Sequence, residues 1–525
     1  MIVQTETNQR FTAQLPRNLA ANIAYFLANI VIGVLLVPYF INTLGVAAYG
    51  IIPLATSITG YVAIVVQSLN TAVSRFLTID LQRRDYVAAN RTFNTSLFGL
   101  TLAILLMIPV ILVVAYFIPT IFHVPAGQEN DAILLFLGVS AAFLIRAWSG
   151  NFTVQLFAYN RLDLQNLVNL TNLIVQTGLI VLLFTFPGPS LALIGWAYLA
   201  GAMTASVISF ILARRICPYL LISISSFDRR KVRDLCGLGG WVVIDQIGTL
   251  FLFQIDLIVV NLLFGETLAG EYAIALQWGI LMRSVAGMLA GVLVPTMLSY
   301  YALKQTEKII KITKSAIKFM GFAMALPTGL VCGFAPQLLT IWVGAEYAGL
   351  APLLALLTAH LAVNMSVLPL FSVNVAYNRV RIPGLVTILL GTANLILAII
   401  LPLVTGWGYY GVAVAGVIIL TFRHTLFVPW YAARILSVPM TIYLRSLVSG
   451  VHATLLIGGV ATVFAVVTTP LSLFTLIIAG AVISLVYGII VLEFCLTPFE
   501  KQLFESYLPP RWKKFNETNL FDNKD

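Results

Sequence analysis

The sequence predicts an all-α polytopic membrane protein of about fourteen transmembrane helices. Three observations lead there. Of the 525 residues, 60% are apolar and only 10% charged, the proportions of a chain that lives in lipid. The basic residues also segregate. When the loops between apolar runs are assigned alternately to two faces, Arg10, Arg17, the Arg75 to Arg91 loop, Arg161, the Arg214 to Arg233 loop, Lys304 to Lys318, Arg379, Arg381, Arg434, Arg445 and the tail share one face. The opposite loops carry no Lys or Arg, so the basic face is cytoplasmic. The third observation is the exceptions: Arg146, Arg283 and Arg423 fall inside apolar runs. An arginine at the centre of a spanning helix costs about 2.5–3.5 kcal/mol on insertion scales, which marks such a position as functional.

Taken in order, the predicted spans are 18–42, 50–70, 92–118, 132–157, 167–187, 190–212, 237–262, 271–300, 316–336, 350–376, 384–405, 410–432, 445–468 and 472–495. The polar first seventeen residues lead into a full-length span rather than a cleavable signal, and both termini come out cytoplasmic. Pro38, Pro53, Pro295, Pro327, Pro369 and Pro402 fall within spans and predict kinked or broken segments. The first twelve spans read as two copies of one six-span unit. Tyr159-Asn160-Arg161 closes the fourth span and Tyr377-Asn378-Arg379 the tenth; Gly45 and Gly50 are matched by Gly265 and Gly270, and Gly195 by Gly411. Ordered matches at one period are the mark of a duplication, and six spans per copy give both copies the same topology. The expected division is an N-terminal lobe (1–215), a second lobe (216–436), an extra helix pair (437–496) and a cytoplasmic tail (497–525). Substrate in such transporters sits at the repeat interface.

Several function classes are excluded. The net charge of +10 is spread over cytoplasmic loops, where each Lys or Arg contributes about 1 kcal/mol of attraction to anionic headgroups; nucleic acid is not an expected partner. Cys217, Cys236, Cys332 and Cys495 lie in spans or beside cytoplasmic loops, which predicts reduced thiols. There is no phosphate-binding loop, zinc-protease helix or nucleophile elbow. Neither ATP hydrolysis in cis, nor a cofactor, nor a metal site is expected.

Arg146 and Arg283, one per lobe, are candidates for an anion site, because guanidinium forks match phosphate oxygens; structural ion pairing is the plainer alternative. Arg423 is nearer the cytoplasmic end of its span and able to snorkel. Asp245 and Asp256, close to three helical turns apart, share one face with Thr249 and Leu252. They are candidates for an ion-coupling or charge-balancing role. The matching stripe on span one holds Asn18, Asn22, Tyr25 and Asn29, and span five carries Gln165, Asn169, Asn172 and Gln176. Of these, Asn22, Asn29, Gln165, Asn169 and Asn172 are candidates to bind sugar hydroxyls, against the alternative of interhelical hydrogen bonds of about 0.6 kcal/mol each. His360 is a possible titrating group, though a lone histidine on an apolar face is more often a core residue. Lys304, Lys308, Lys311, Lys314 and Lys318 oppose Ile309, Ile310, Ile312 and Ile317, the pattern of an amphipathic helix on the cytoplasmic surface. Gly287 and Gly291 have the spacing of close helix packing.

With Leu44-Gly45 before Tyr49-Gly50 after span one, and Tyr-Asn-Arg ending the fourth span, the chain over about 15–495 resembles the polysaccharide transporters. These are the O-antigen and oligosaccharide flippases of the multidrug/oligosaccharidyl-lipid/polysaccharide exporter superfamily. The resemblance implies a bacterial inner-membrane protein that turns over an undecaprenyl-diphosphate-linked oligosaccharide, a lipopolysaccharide-type precursor, by alternating access driven by an ion gradient of H+ or Na+. It further implies a cationic cavity, which Arg146 and Arg283 match. The alternative is an ion-coupled exporter of drugs and organic cations from the same superfamily, but such cargo wants an acidic, aromatic cavity without central arginines. An enzyme such as a polymerase would need outer loops with paired carboxylates, and here Glu129, Asp131, Glu266 and Glu346 are scattered over short loops.

Overall fold

The computed structural model describes residues 2–232, 246–291, 293–468, 472–498 and 500–501. Among them all regular secondary structure is helical: α1 (Ile2–Leu44), α2 (Val46–Gln82), α3 (Tyr86–Ile121), α4 (Glu129–Ala158), α5 (Leu162–Thr185), α6 (Leu191–Ile216), α7 (Gln246–Phe253), α8 (Ile255–Phe264), α9 (Glu266–Gly291), α10 (Leu293–Ala302), α11 (Thr306–Gly333), α12 (Ala335–Trp342), α13 (Ala351–Ala359), α14 (Leu361–Asn364), α15 (Pro369–Ala376), α16 (Arg381–Thr405), α17 (Tyr409–Phe422), α18 (Val428–Leu436), α19 (Thr441–Val467) and α20 (Leu473–Ile490). Twelve helices among the described residues are long and apolar enough to span a bilayer, thirteen when α7 and α8, bent by 46° at Gln254, form one span. The second predicted span lies in α2, a helix of 37 residues whose apolar stretch is Val46–Tyr61. Predicted span ten is broken into α13, α14 and α15. Span twelve is interrupted between α17 and α18 by a π turn, Arg423–Phe427, the kind of insertion that recurs at functional sites.

The breaks between helices carry the duplication. Positive φ is rare outside glycine and asparagine, yet every such residue in the first six helices has a counterpart. Gly45 is matched by Gly265 and Arg84 by Lys304 at a spacing of 220, Gly127 by Gly344 at 217, and Asn160 by Asn378 and Gly188 by Gly406 at 218. The repeated Tyr-Asn-Arg now has a physical meaning: its asparagine (φ 55° and 53°) takes the left-handed conformation that stops a helix. Side-chain caps start α3, where Asp85 accepts from the Ala88 N–H at 2.9 Å, and α6, where Ser190 accepts from Ala192 at 3.1 Å.

The chain packs as two compact units, Met1–Gln277 with Arg379–Leu420, and Trp278–Asn378 with Thr421–Asp525. In the first, small residues let helices approach closely, the usual device of helix packing in lipid. A Cβ on Gly138 of α4 would lie 2.5 Å from the carbonyl carbon of Gly195 in α6. Polar residues join α1 to α5: Asn18 donates to the Asn160 carbonyl at 2.9 Å and accepts from the Asp163 N–H at 3.0 Å, and Asn166 donates to Asn22 Oδ1 at 2.8 Å. On the loop after α3, the His123 N–H donates to Asn261 Oδ1 and Asn261 Nδ2 returns a bond to the His123 carbonyl, both at 3.0 Å.

In the second unit α11 packs along α19, with Gly321 against Gly450 and Gly329 against Ile457. Gly287 and Gly291, by contrast, have nothing among the described residues within 4 Å of where a Cβ would stand. The lysine helix is as amphipathic as its sequence: Lys308, Lys311 and Lys314 are exposed, while Ile309, Ile312 and Ile317 are buried in a cluster with Leu370, Val373, Ala432 and Tyr443. Lys304 precedes the helix in its left-handed break. Lys318 instead pairs at 2.7 Å with the buried Glu500, which also accepts from the Thr497 N–H at 2.9 Å. Thr497 in turn accepts from the Glu500 N–H at 3.3 Å, the reciprocal pattern of a capping box.

Candidate functional site

Among the described residues, three groupings of polar residues in the apolar helices bear on the candidate site. On α4, Arg146 is exposed and its Nη2 reaches Asn169 Oδ1 at 3.5 Å, the outer limit of a hydrogen bond. The structure therefore brings together two candidates from different helices. Gln165 and Asn169 are half-buried on α5, while Asn172 is buried; its Nδ2 donates to Gln176 Oε1 at 3.5 Å and its Oδ1 has no partner. Asn22 is engaged by Asn166 on the neighbouring face of α5, and Asn29 is exposed farther along α1.

A second grouping surrounds Asp256, 7% exposed in the first turn of α8. Asn394 of α16 donates to its Oδ1 at 3.3 Å and to the Phe251 carbonyl at 3.0 Å, and Tyr272 of α9 donates to its Oδ2 at 3.4 Å. Glycine at 416 on α17 leaves room for the carboxylate, since a Cβ there would stand 3.2 Å from Oδ2. The bend between α7 and α8 sets Asp256 at the start of a fresh helix, and four helices converge on it. Asn394 Oδ1 and the Tyr61 hydroxyl are buried without partners. One carboxylate with orphaned neutral oxygens suits a proton or a monovalent cation. Among the described residues no cluster of three His, Cys, Asp or Glu side chains offers a divalent site. Asp245 lies outside the described residues.

The third grouping belongs to the second unit. Arg283 on α9 is half-buried and folds back along its own helix, its Nη1 3.6 Å from the place of a Gly279 Cβ. Arg423 does not snorkel: it is 7% exposed, with its guanidinium carbon 5.5 Å from the centre of the Phe371 ring. Stacking on an aromatic face is how a guanidinium is kept in an apolar setting. His424, 1% exposed, approaches the same ring at 6.2 Å. Asn364, fully buried at the end of α14, donates to His360 Nδ1 at 2.7 Å and reaches Thr421 Oγ1 at 3.5 Å.

Sequence reasoning missed Asn394, Tyr272, Tyr61 and Asn364. The signal for the two asparagines was present: each is an amide within an apolar run, and amides in lipid take partners or do work.

The same fold is found in solved structures of membrane proteins. Over 93% of this chain and 99% of the other, it resembles the lipid II flippase MurJ in an inward closed conformation, with a TM-score of 0.59 and 15% identity. It also resembles an inward-facing multidrug transporter of the MATE family of the MOP superfamily, with a TM-score of 0.58 and 18% identity over 79% of this chain and 95% of that one. More specifically, residues 15–301 match the pattern of the polysaccharide biosynthesis protein family, and the chain belongs to that family. A relative in Bacillus subtilis (strain 168), the uncharacterized membrane protein EpsK, is 30% identical over 486 residues, 93% of this chain and 96% of that protein. The protein is thus a multi-pass membrane protein of polysaccharide biosynthesis with a flippase-like fold.

Proposed function

We propose that the protein flips a lipid-linked oligosaccharide, a polyprenyl-diphosphate glycan precursor, across a bacterial cytoplasmic membrane, with both termini cytoplasmic. The observation that carries this reading is Arg146: a guanidinium on a membrane helix beside an amide row, chemistry that suits a diphosphate followed by sugar hydroxyls. Arg146 and Arg283 contact the headgroup phosphates, Gln165, Asn169 and Asn172, with Asn22 and Asn29 of α1, accept the sugars, and Arg423 supports the cationic side. The polyprenyl tail stays in lipid. The six-helix repeats alternate access, and Asp256, with Asp245, takes the coupling ion, H+ or Na+. A titrating carboxylate linked to the same conformational change passes the gradient to the cargo.

The test is reconstitution in proteoliposomes with a fluorescent polyprenyl-diphosphate oligosaccharide, following loss of inner-leaflet probe. The expected result is protein-dependent turnover that falls at least tenfold in Arg146→Ala, as loss of a charged contact to a desolvated anion demands. Turnover unchanged in both Arg146→Ala and Arg283→Ala would sink the anion-site reading. Export of an organic cation instead would favour the drug-exporter alternative.

A further inference from the structure

By sequence α7 and α8 belong to the second copy, yet they fall in the compact unit that holds the first, Met1–Gln277 with Arg379–Leu420. The far end of α8 is clasped to the first copy. The His123 N–H donates to Asn261 Oδ1 at 3.0 Å, Asn261 Nδ2 donates to the His123 carbonyl at 3.0 Å, and His123 Nδ1 donates to the Asn261 carbonyl at 2.9 Å. The main chain fixes both side chains, because an N–H only donates and a carbonyl only accepts. The amide therefore has one orientation, and Nδ1 holds its proton whether the ring is neutral or charged. Asn261 is fully buried, while His123 is exposed. The loop that carries His123, 122–128, has no Lys or Arg and belongs to the face opposite the basic loops.

Between two joints, α8 is a short rod. The chain bends by 46° where α7 gives way to α8. At the other end Gly265 takes φ 89°, a conformation that glycine enters freely. The 10 residues of α8 make a rod about 15 Å long. Asp256 stands in its first turn and Asn261 in its second half, so the carboxylate and the clasp ride on one rigid body. Asn394 and Tyr272 hold the rod at its root through Asp256; His123 holds it at its tip.

The duplication separates this clasp from the needs of the fold. At the spacing of 220 that relates Gly45 to Gly265, Asn261 corresponds to Ile41 and Asp256 to Leu36. At the spacing of 217 that relates Gly127 to Gly344, His123 corresponds to Thr340. Ile41 has no polar side-chain group, and Thr340 donates to the Pro336 carbonyl of its own helix at 2.8 Å. In the first copy α1 runs unbroken through the stretch that matches the α7–α8 bend. A contact that the architecture demanded would stand in both copies. This one stands once, together with the joint that frees its helix and the carboxylate at its root.

We propose that α8 is the latch of the outer face: the His123–Asn261 clasp holds that face shut, cargo leaves only when the clasp parts, and the charge on Asp256 sets how firmly it holds. This rests on the alternating access proposed above and assigns one of its moving parts. Hydrogen bonds to a carboxylate are roughly twice as strong as neutral ones. Neutralising Asp256, with a proton or a bound cation, loosens the root of α8 and so favours the parted clasp at its tip. Parting is readily reversed, since at the exposed His123 water replaces the bonds given up. Linkage makes the effect mutual: a parted clasp favours the neutralised carboxylate by the same factor.

The test uses the full chain in proteoliposomes, with its four cysteines changed to serine and spin labels on Ala126→Cys in the loop and Leu263→Cys on α8, both exposed positions. Pulsed electron resonance reads the distance between the labels, and transport of a fluorescent polyprenyl-diphosphate oligosaccharide is followed in parallel. One short distance should dominate in the parent protein. Asn261→Leu, which removes both amide bonds, should raise the share of a longer distance at least threefold, and Asp256→Asn, which removes the charge, should shift it the same way. His123→Ala loses only the ring's bond and should give a smaller shift of the same sign, which keeps the test open if Asn261→Leu fails to fold. A clasp that merely braces the fold would lower the melting temperature of these variants and leave the distances as they are; that result, with transport intact, overturns the latch alone. A parent protein that shows the expected distances and shifts but moves no oligosaccharide overturns the flippase reading and supports the latch.

Discussion

Gly50 and Gly270 stand backbone to backbone: a Cβ on Gly50 would lie 2.7 Å from the Gly270 nitrogen and 2.8 Å from its Cα, and a Cβ on Gly270 would overlap the Val46 carbonyl. The two glycines occupy the same place in the two copies, five residues after Gly45 and Gly265. Neither helix can give way by moving a side chain, because the obstructing atoms are main chain. Gly270→Val should therefore lower stability by about 1–3 kcal/mol, the usual cost of overpacking, read as a lower melting temperature in detergent. Gly287→Val, on a glycine with open space around it, is the control and should leave melting unchanged.

Asp256→Asn should separate folding from coupling. The amide keeps the acceptor for Asn394 or Tyr272 and removes only the charge, so the variant should melt within a few degrees of wild type. Transport measured with and without an imposed ion gradient should lose its gradient dependence. A variant that transports with the wild-type gradient response would remove Asp256 from the coupling role.

The tail contact should respond to acid. Burial alone would raise the Glu500 carboxyl, but the Lys318 ammonium and the Thr497 N–H outweigh it and hold the group below the usual carboxylate range. A folded-state value below the unfolded one means that the contact contributes stability above about pH 4.3, the ordinary glutamate value. That contribution is lost as pH falls through the lower folded value. Cleavage of the tail, read with an acid-active protease at low pH and a neutral protease at pH 7, should rise steeply below about pH 4 in wild type. In Glu500→Gln it should already be high at neutral pH, with little further change on acidification.

Cys217, fully buried just after α6, has its thiol pushed up to about 11, first by burial. The thiolate is the reactive species, so at pH 7.5 only a small fraction is reactive, and that fraction is shielded. A variant retaining Cys217 alone should resist maleimide in the folded state and label fully once denatured. Rapid labelling of the folded protein would show that the end of α6 opens.

Much of the architecture was legible because membrane spans are written locally, in composition and in the length of apolar runs. The duplication was legible too, since Tyr-Asn-Arg is a helix stop fixed by backbone sterics and needs no distant partner. The polar sites were only half legible. Asp256 announces itself as a charge in an apolar run, but nothing near it in sequence points to Asn394, which lies 138 residues away. Asn22 and Asn169 looked alike as amides at helical spacing. The partner each meets, Asn166 for one and Arg146 for the other, is set by helix packing. The α7–α8 bend was invisible for a further reason: no proline lies at it, whereas Pro429, two residues beyond the π turn at Arg423, was a local signal of that break.

The matched left-handed breaks make this chain two copies of one helical pattern written in a single polypeptide. In a dimer of identical subunits, a residue beside the two-fold axis meets its own twin, and Gly50 against Gly270 has that character. The positions where the twins differ then become the informative ones. Arg146 opposite Asn364 in the alignment of the two copies is a broken symmetry, and a fused pair, unlike a true dimer, is free to keep an arginine in one half and a neutral amide in the other.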